Sequence, residues 1–275
     1  MSTQDQKTMN GLENVQWILG VASGKGGVGK STVSAHLAVA LKSLGLKVGL
    51  LDADIYGPSQ GLMFGIAEGT RPKTDGKSFV PVEAHGVSIM SMAFLTTDQT
   101  PMVWRGPMAS GALQQLLLQT QWGNLDVLVV DLPPGTGDIQ LTLAQRARLA
   151  GAVVVTTPQD IAVLDAKKGI EMFNKVGVPV LGLVENMSYH ICGKCGHQDA
   201  LFGTGGAQTL EGRYGIPVIG RLPLDARLGE ASDKGTPLEA SDDALAENFR
   251  TAAKAVYESL QQGQQQMPGI SDVDE

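Results

Sequence analysis

LGVASGKGGVGKST, residues 19–32, decides the fold of this chain, because it fits two phosphate-binding templates at once. Gly24-Lys25-Gly26-Gly27-Val28-Gly29-Lys30-Ser31 satisfies G-x-x-x-x-G-K-[ST], the loop of nucleotide hydrolases, and its glycines also satisfy G-x-G-x-x-G, the turn of dinucleotide-binding proteins. The second template has Asp52 in its favour, an acid closing the next β-like run about 20 residues on, where a ribose-binding carboxylate would stand. Lys30 and Ser31 weigh against it. They supply a lysine for β and γ phosphates and a hydroxyl for magnesium at a helix N-terminus, and hydride transfer needs neither. DVLVVDLPPGTGD, residues 126–138, adds a second acidic strand end: Asp131 fits the carboxylate that holds a magnesium-bound water beside Ser31. The expected ligand is therefore ATP or a similar nucleoside triphosphate with Mg2+, and the loop 133–138 is expected near its γ-phosphate.

Working outward, WILGVAS (17–23), KVGLLDAD (47–54), DVLVVDLPPG (126–135), GAVVVTTPQD (151–160), PVLGLVEN (179–186) and PVIGRLPLD (217–225) read as buried parallel strands, apolar on both faces. Residues 31–44 carry Val33, Leu37, Leu41 and Leu44 at helical spacing, the pattern of a crossover helix. Further helices are expected over 108–121, 138–149, 160–176, 205–214 and 242–262. The fold class is α/β: a doubly wound, mainly parallel sheet. Residues 72–94 interrupt the alternation with two short runs separated by Gly86 and predict a small antiparallel hairpin insertion. The expected organisation is a flexible lead (1–14), one nucleotide-binding domain (15–262) and a Gln-rich, acidic, disordered tail (263–275).

A net charge of -7 without a lysine and arginine run argues against nucleic acid or anionic membrane as the main partner. The polar N-terminal stretch lacks the apolar core of a secretory signal and the arginine-rich pattern of an organellar one, so a cytoplasmic location is expected. Two cysteines occur, Cys192 and Cys195, and in a reducing compartment a C-x-x-C pair reads as a metal or redox site sooner than a disulfide. Lys25, inside the phosphate loop, is either a solvated charge or a cation placed on a transferring phosphoryl group, and spacing leaves both open. The methionines Met90, Met92, Met102 and Met108 read as core or dimer packing.

GKGGVGKST, DADIYGPS, VWRGPM, VVDLPPGTGD, ENMSYHICGKCG and LFGTGGA together resemble the Mrp/ApbC family of iron-sulfur cluster carrier ATPases, members of the MinD- and ParA-like branch of P-loop NTPases with a deviant Walker A loop. The resemblance runs from about Val15 to Tyr257. It implies that Lys25 reaches the nucleotide of a second subunit, that Lys30 is the phosphate-loop lysine, and that Ser31 ligates magnesium with Thr32 contacting phosphate. It implies that Asp54 positions the attacking water, with Asp52 its companion near the metal and Asp131 the second magnesium acid. Asn186 matches a base-contacting asparagine, while Pro223 and Asp225 fall where the adenine pocket closes. Trp104 and Arg105 could contact a partner or anchor a loop beside the nucleotide. With a lead of roughly 15 residues before the first strand, the extra N-terminal domain or cysteine-rich extension of some members is not expected here.

Cys192 and Cys195 can face one metal, yet a closed zinc site or a 4Fe-4S cluster takes four protein ligands. A homodimer with the site on its twofold axis supplies the missing pair, and the resemblance implies a bridging 4Fe-4S cluster there, received from donor scaffold proteins and passed to apoproteins. His190 and His197 flank the pair as alternative zinc ligands. Two other readings stand beside this one: a MinD/ParA-like positioning ATPase, and an ATPase whose dimer interface holds a purely structural zinc.

Overall fold

The computed structural model describes residues 11–95, 106–238 and 244–265. Trp104, Arg105, Met102, most of the expected lead and most of the tail lie outside the described residues. The chain runs β1 (Val15–Ser23), α1 (Lys30–Ser43), β2 (Val48–Asp52), α2 (Gln60–Met63), β3 (Lys73–Thr74), β4 (Phe79–Val80), β5 (Val82–Ala84), β6 (Val87–Ser91), α3 (Gly106–Gln119), β7 (Leu125–Asp131), α4 (Asp138–Arg146), β8 (Gly151–Thr156), α5 (Asp160–Lys175), β9 (Val180–Ile191), β10 (Gln198–Asp199), α6 (Gly206–Tyr214), β11 (Val218–Pro223), α7 (Ala226–Lys234) and α8 (Ala244–Gln265).

Nine strands form one sheet in the order β10-β9-β8-β1-β7-β2-β6-β5, with β11 on β9. All pairings are parallel except β10 with β9 and β5 with β6. β3 and β4 form a separate antiparallel pair. The expected hairpin about Gly86 is therefore β5-β6, and β6 joins the main sheet through β2.

β1 is buried from Trp17 onward and β8 throughout, as strands covered by helices on both faces must be. α1 is buried on nearly its whole circumference, with Leu37 and Leu41 fully covered, each worth about 1.5–3 kcal/mol. Met90 and Met92 are core residues, whereas Met108 is exposed.

Two element boundaries and one burial pattern differ from those expected. α4 ends at Arg146, short of Leu149, because Arg148 takes a φ of 50° that no α-helix continues through. β11 is half-buried over its first residues, since it lies at the sheet's edge. β9 runs on past Asn186 to Ile191, because β11 and then β10 supply its hydrogen-bond partners beyond the end of β8.

α8 closes over α1, with the His36 ring stacked on Phe249 at 4.8 Å. His36 Nδ1 lies 2.8 Å from the Thr32 carbonyl, while its buried Nε2 has no partner. Burial holds the His36 pKa below the ordinary histidine range, and the Thr32 bond opposes that shift. Histidines of the unfolded chain take up a proton below about pH 6.5, where folded His36 resists it, so the unfolded state binds more protons and stability falls as pH drops through that window. Urea unfolding at pH 7.5 and 5.5 should show this loss reduced in His36→Leu. An equal loss in both proteins would contradict the assignment.

Candidate functional site

Parallel strands bring their carboxyl ends to one edge, where α/β sheets place their ligands. At that edge β1 hands over to α1 through residues 24–29, and Asp52 stands beside Asp131 in the register of β2 and β7. Gly29 sits just before α1 with φ 81°, a left-handed conformation costly for other residues. α1 has neither a side-chain cap nor an acid in its first turn, so its leading N–H groups remain donors for an anion.

The loop is clamped from two sides. A Cβ on Gly24 would lie 2.1 Å from the backbone carbon of Asp165 in α5, and one on Gly29 would lie 2.2 Å from Asn186 Nδ2. That amide nitrogen donates to the Val28 carbonyl at 2.9 Å. Gly29→Ala is thus expected to lose the Asn186 bond as well as strain the turn, weakening ADP binding more than tenfold by titration calorimetry. Unchanged affinity would show that the clamp does not shape the loop.

Gly26 and Gly27 are exposed, and Val28 is buried. Ser23 Oγ donates to the Lys25 carbonyl at 2.8 Å, and the half-buried Lys25 ammonium has no hydrogen-bond or ion-pair partner among the described residues. Thr32 is half-buried in the first turn of α1.

Behind the loop lies a buried polar cluster. Asp131 Oδ1 accepts from Lys30 Nζ at 2.6 Å and Ser34 Oγ at 2.8 Å, and its Oδ2 accepts from Gln60 Nε2 at 2.9 Å. Lys30 Nζ also donates to Ser31 Oγ at 3.2 Å and lies 3.9 Å from Asp54 Oδ2. The oxygens of Ser31 and Asp131 thus converge on one positive charge, and both are the hard donors magnesium prefers, so the site fits that ion. To reach a phosphate, Lys30 must swing away from Asp131. A divalent cation arriving between the two oxygens would compensate the carboxylate as it leaves.

Asp52 plays a different part. Its Oδ2 accepts from the N–H of Ser59 and of Gln60, both at 2.9 Å, and from Ser91 Oγ at 3.0 Å, while Oδ1 accepts from Asp54 N–H at 3.2 Å. Burial, and then the Asp131 carboxylate, push the Asp52 pKa up to about 7. Its oxygens are engaged with the loop 53–60 and with Ser91, so Asp52 stands beside Asp131 and holds the loop that carries Asp54. The Asp54 side chain, 14% exposed, accepts from Gly57 N–H at 3.3 Å and faces Lys30.

Asn186 lies within β9, while Pro223 and Asp225 stand at and just beyond the carboxyl end of β11, where Pro223 pairs with Tyr189 of β9 and Leu224 N–H donates to the Tyr189 carbonyl at 2.7 Å. Asp225 caps α7 by accepting from Arg227 N–H and is gripped by the Arg227 guanidinium at 2.6 Å, which holds its carboxyl below the usual range.

Cys192 and Cys195 stand at the turn between β9 and β10. Cys192 N–H donates to the His197 carbonyl and Gly196 N–H to the Cys192 carbonyl, both at 2.9 Å. The N–H groups of Lys194 and then Cys195 donate to the Cys192 sulfur and hold its thiol below the ordinary range. Cys195 is exposed. His197, 70% exposed, pairs with Asp199 at 3.1 Å. Among the described residues no group of three or more His, Cys, Asp or Glu side chains is placed to hold a metal, so the described part of one chain offers the two thiols alone.

Sequence reasoning passed over Ser34, Gln60 and Glu185. Ser34 follows Lys30 by one helical turn, a usable signal; Gln60 bears none. Glu185 is buried and accepts from Ser188 Oγ at 2.6 Å and from Ala207 N–H at 2.7 Å, tying β9 to the start of α6.

The parallel sheet, the phosphate loop and the acid behind it define a P-loop NTPase of the MinD/ParA type. The family model described as ParA, NUBPL iron-transfer P-loop NTPase matches residues 14–257, and the chain belongs to that family. An iron-sulfur cluster carrier protein of Pseudomonas fragi is 64% identical over 238 residues, covering 86% of this chain and 83% of the relative. The iron-sulfur cluster carrier protein of Escherichia coli K12 is 58% identical over 232 residues, 84% of this chain but 63% of that longer relative. The iron-sulfur cluster transfer protein NUBPL of Dictyostelium discoideum is 45% identical over 261 residues, 94% of this chain and 81% of the relative. Among solved structures, a nucleotide-binding protein from Archaeoglobus fulgidus in complex with ADP aligns with TM-score 0.74 and 40% identity, over 84% of this chain and 91% of that one. The cell division ATPase MinD of Pyrococcus furiosus aligns with TM-score 0.67 at 21% identity, over 89% and 99%, a likeness of fold. No helix among the described residues is long and apolar enough to cross a membrane.

Proposed function

We propose that this protein is a cytoplasmic ATP hydrolase that carries a 4Fe-4S cluster between the C-x-x-C pairs of a homodimer, receiving it from a scaffold protein and delivering it to apoproteins. The observation that carries the reading is β9 itself. It touches the phosphate loop through Asn186 and ends at Ile191, next to Cys192, at most about 20 Å further along the strand. The names of the relatives support the cargo, and two thiols per described chain suit a site completed by a second copy.

In this reading Ser31 and Asp131 hold magnesium, which supplies charge neutralisation on the β and γ phosphates. Residues 24–32 bind the triphosphate through backbone N–H groups, the Lys30 ammonium and the Thr32 side chain. Asn186, Pro223 and Asp225 border the base. Asp54 accepts a proton of the attacking water and orients it, and the Asp52 hydrogen bonds keep Asp54 in place. Lys25 of one subunit serves the nucleotide of the other. The nucleotide state then biases the position of Asn186, and through β9 the spacing of the two thiol pairs.

Anaerobic reconstitution with iron and sulfide, followed by metal and sulfide analysis of a size-resolved sample, tests this. The expected result is about four irons and four sulfides per dimer. Zinc alone would favour a structural staple. A dimer that takes up no metal would favour a positioning ATPase, although α8, with Arg250 and Lys254 set among Glu247 and Glu258, is not the basic amphipathic helix a membrane requires.

A further inference from the structure

Gln60 opens α2, immediately after DADIYGPS, and is completely buried. Its backbone N–H donates to Asp52 Oδ2 at 2.9 Å. Its side-chain amide spends both hydrogens, one on the Ser31 carbonyl at 3.0 Å and one on Asp131 Oδ2 at 2.9 Å. The orientation of that amide is settled by its neighbours, because both are acceptors and only NH2 can face them. One residue therefore joins the magnesium-binding end of α1, the acid at the end of β7 and the loop that carries Asp54.

The other end of the same planar group, Oε1, is buried and accepts from nothing. An unpaired buried acceptor costs about 1–3 kcal/mol. It is tolerated where a ligand brings the missing donor. A magnesium ion keeps several of its waters when it binds phosphates, and each bound water is a strong donor in need of an acceptor. The missing donor and the surplus donors belong to the same few ångströms around Ser31 and Asp131.

We propose that Gln60 is a positioning residue for the magnesium of this site: its NH2 fixes the carboxylate of Asp131, and its carbonyl oxygen accepts a hydrogen bond from a water of the metal's hydration shell. The inference rests on the ATPase reading of the site. It adds that the loop carrying Asp54 senses the metal directly, because the residue that accepts the water's hydrogen bond is part of the same segment. Partners of this kind, one step removed from a metal, change its affinity about 10- to 100-fold when lost.

The test is Mn2+ binding to the ADP-bound protein, followed by the electron paramagnetic resonance of free Mn2+, alongside ADP affinity in EDTA. Gln60→Met, of similar volume and without polar hydrogens, should weaken Mn2+ about tenfold or more and leave metal-free ADP affinity unchanged. Gln60→Glu keeps an acceptor for the water but replaces the NH2 by an oxygen facing Ser31 and Asp131, so its Mn2+ affinity should exceed that of the methionine variant. Unchanged Mn2+ affinity in Gln60→Met would overturn the proposal. So would a parallel loss of metal-free ADP binding, or a glutamate variant as weak as the methionine one. If the unaltered protein binds neither ADP nor Mn2+·ADP, the ATPase reading fails instead. Should Gln60→Met not fold, Gln60→Asn, whose amide is one carbon short of Asp131, takes its place: unchanged Mn2+ affinity there overturns the proposal.

Discussion

Replacing Lys25 by alanine is expected to slow ATP turnover about a thousandfold while ADP affinity stays close to that of the unaltered protein. Lys30 is turned inward, 5% exposed, and bonded to Asp131 and Ser31 of its own chain. Lys25 stands on the outer lip with its backbone carbonyl fixed by Ser23 and its ammonium unpartnered among the described residues. A cation so placed can add charge stabilisation to a phosphoryl group presented by a facing subunit, the role an arginine finger plays in trans. Mixing subunits separates this from a role within one chain. Lys25→Ala and Lys30→Met dimers should each be inactive. In the mixed dimer the Lys25→Ala subunit still binds ATP, and the Lys30→Met subunit still offers Lys25 across the axis, so activity should return. Mixed dimers that form but stay inactive would refute action in trans.

Cys192→Ala should abolish cluster uptake, taking iron from about four per dimer to none, with ADP binding retained. The separation follows from where the pair stands. The hydrogen bonds of the Cys192-Cys195 turn run to His197, Gly196 and their immediate neighbours, all within the β9-β10 hairpin. Asn186, the point where β9 touches the phosphate loop, lies six residues back along the chain, at most about 20 Å away. Cys195→Ala should lose iron equally, because a four-ligand cluster tolerates the loss of neither leg in each subunit. Both variants should keep their melting temperature to within a degree or two, as substitutions at an exposed turn do. Iron retained in either variant, or ADP binding lost in a variant that still folds, would contradict the assignment.

The phosphate loop, the strand-end acids and the C-x-x-C pair could be read from the chain because each is a local pattern whose spacing is set by backbone geometry. Gly24 to Ser31 must be contiguous to wrap a phosphate, and Asp131 must end an apolar run to stand at a strand's carboxyl end. The same logic located six strands of the main sheet. It misplaced the end of β9, since pairing beyond Asn186 depends on β10 and β11, which arrive later in the chain. Asp52 is expected as a companion of the metal because it ends its strand as Asp131 does; that it also accepts from Ser59, Gln60, Ser91 and Asp54 depends on the loop folding back over it.

What the amino-acid order determined alone is the class of chemistry: a triphosphate loop, hard oxygen donors for a divalent cation, two soft thiols and no surplus of positive charge. These follow from residue type and short-range spacing. What only the tertiary structure decided is which group meets which. Lys30 rests on an acid 101 residues away, Gln60 links three segments with an acceptor to spare, and one strand joins the nucleotide loop to the thiols. Buried polar groups find partners through the packing of distant elements, because each left unpaired costs a sizeable part of a protein's net stability.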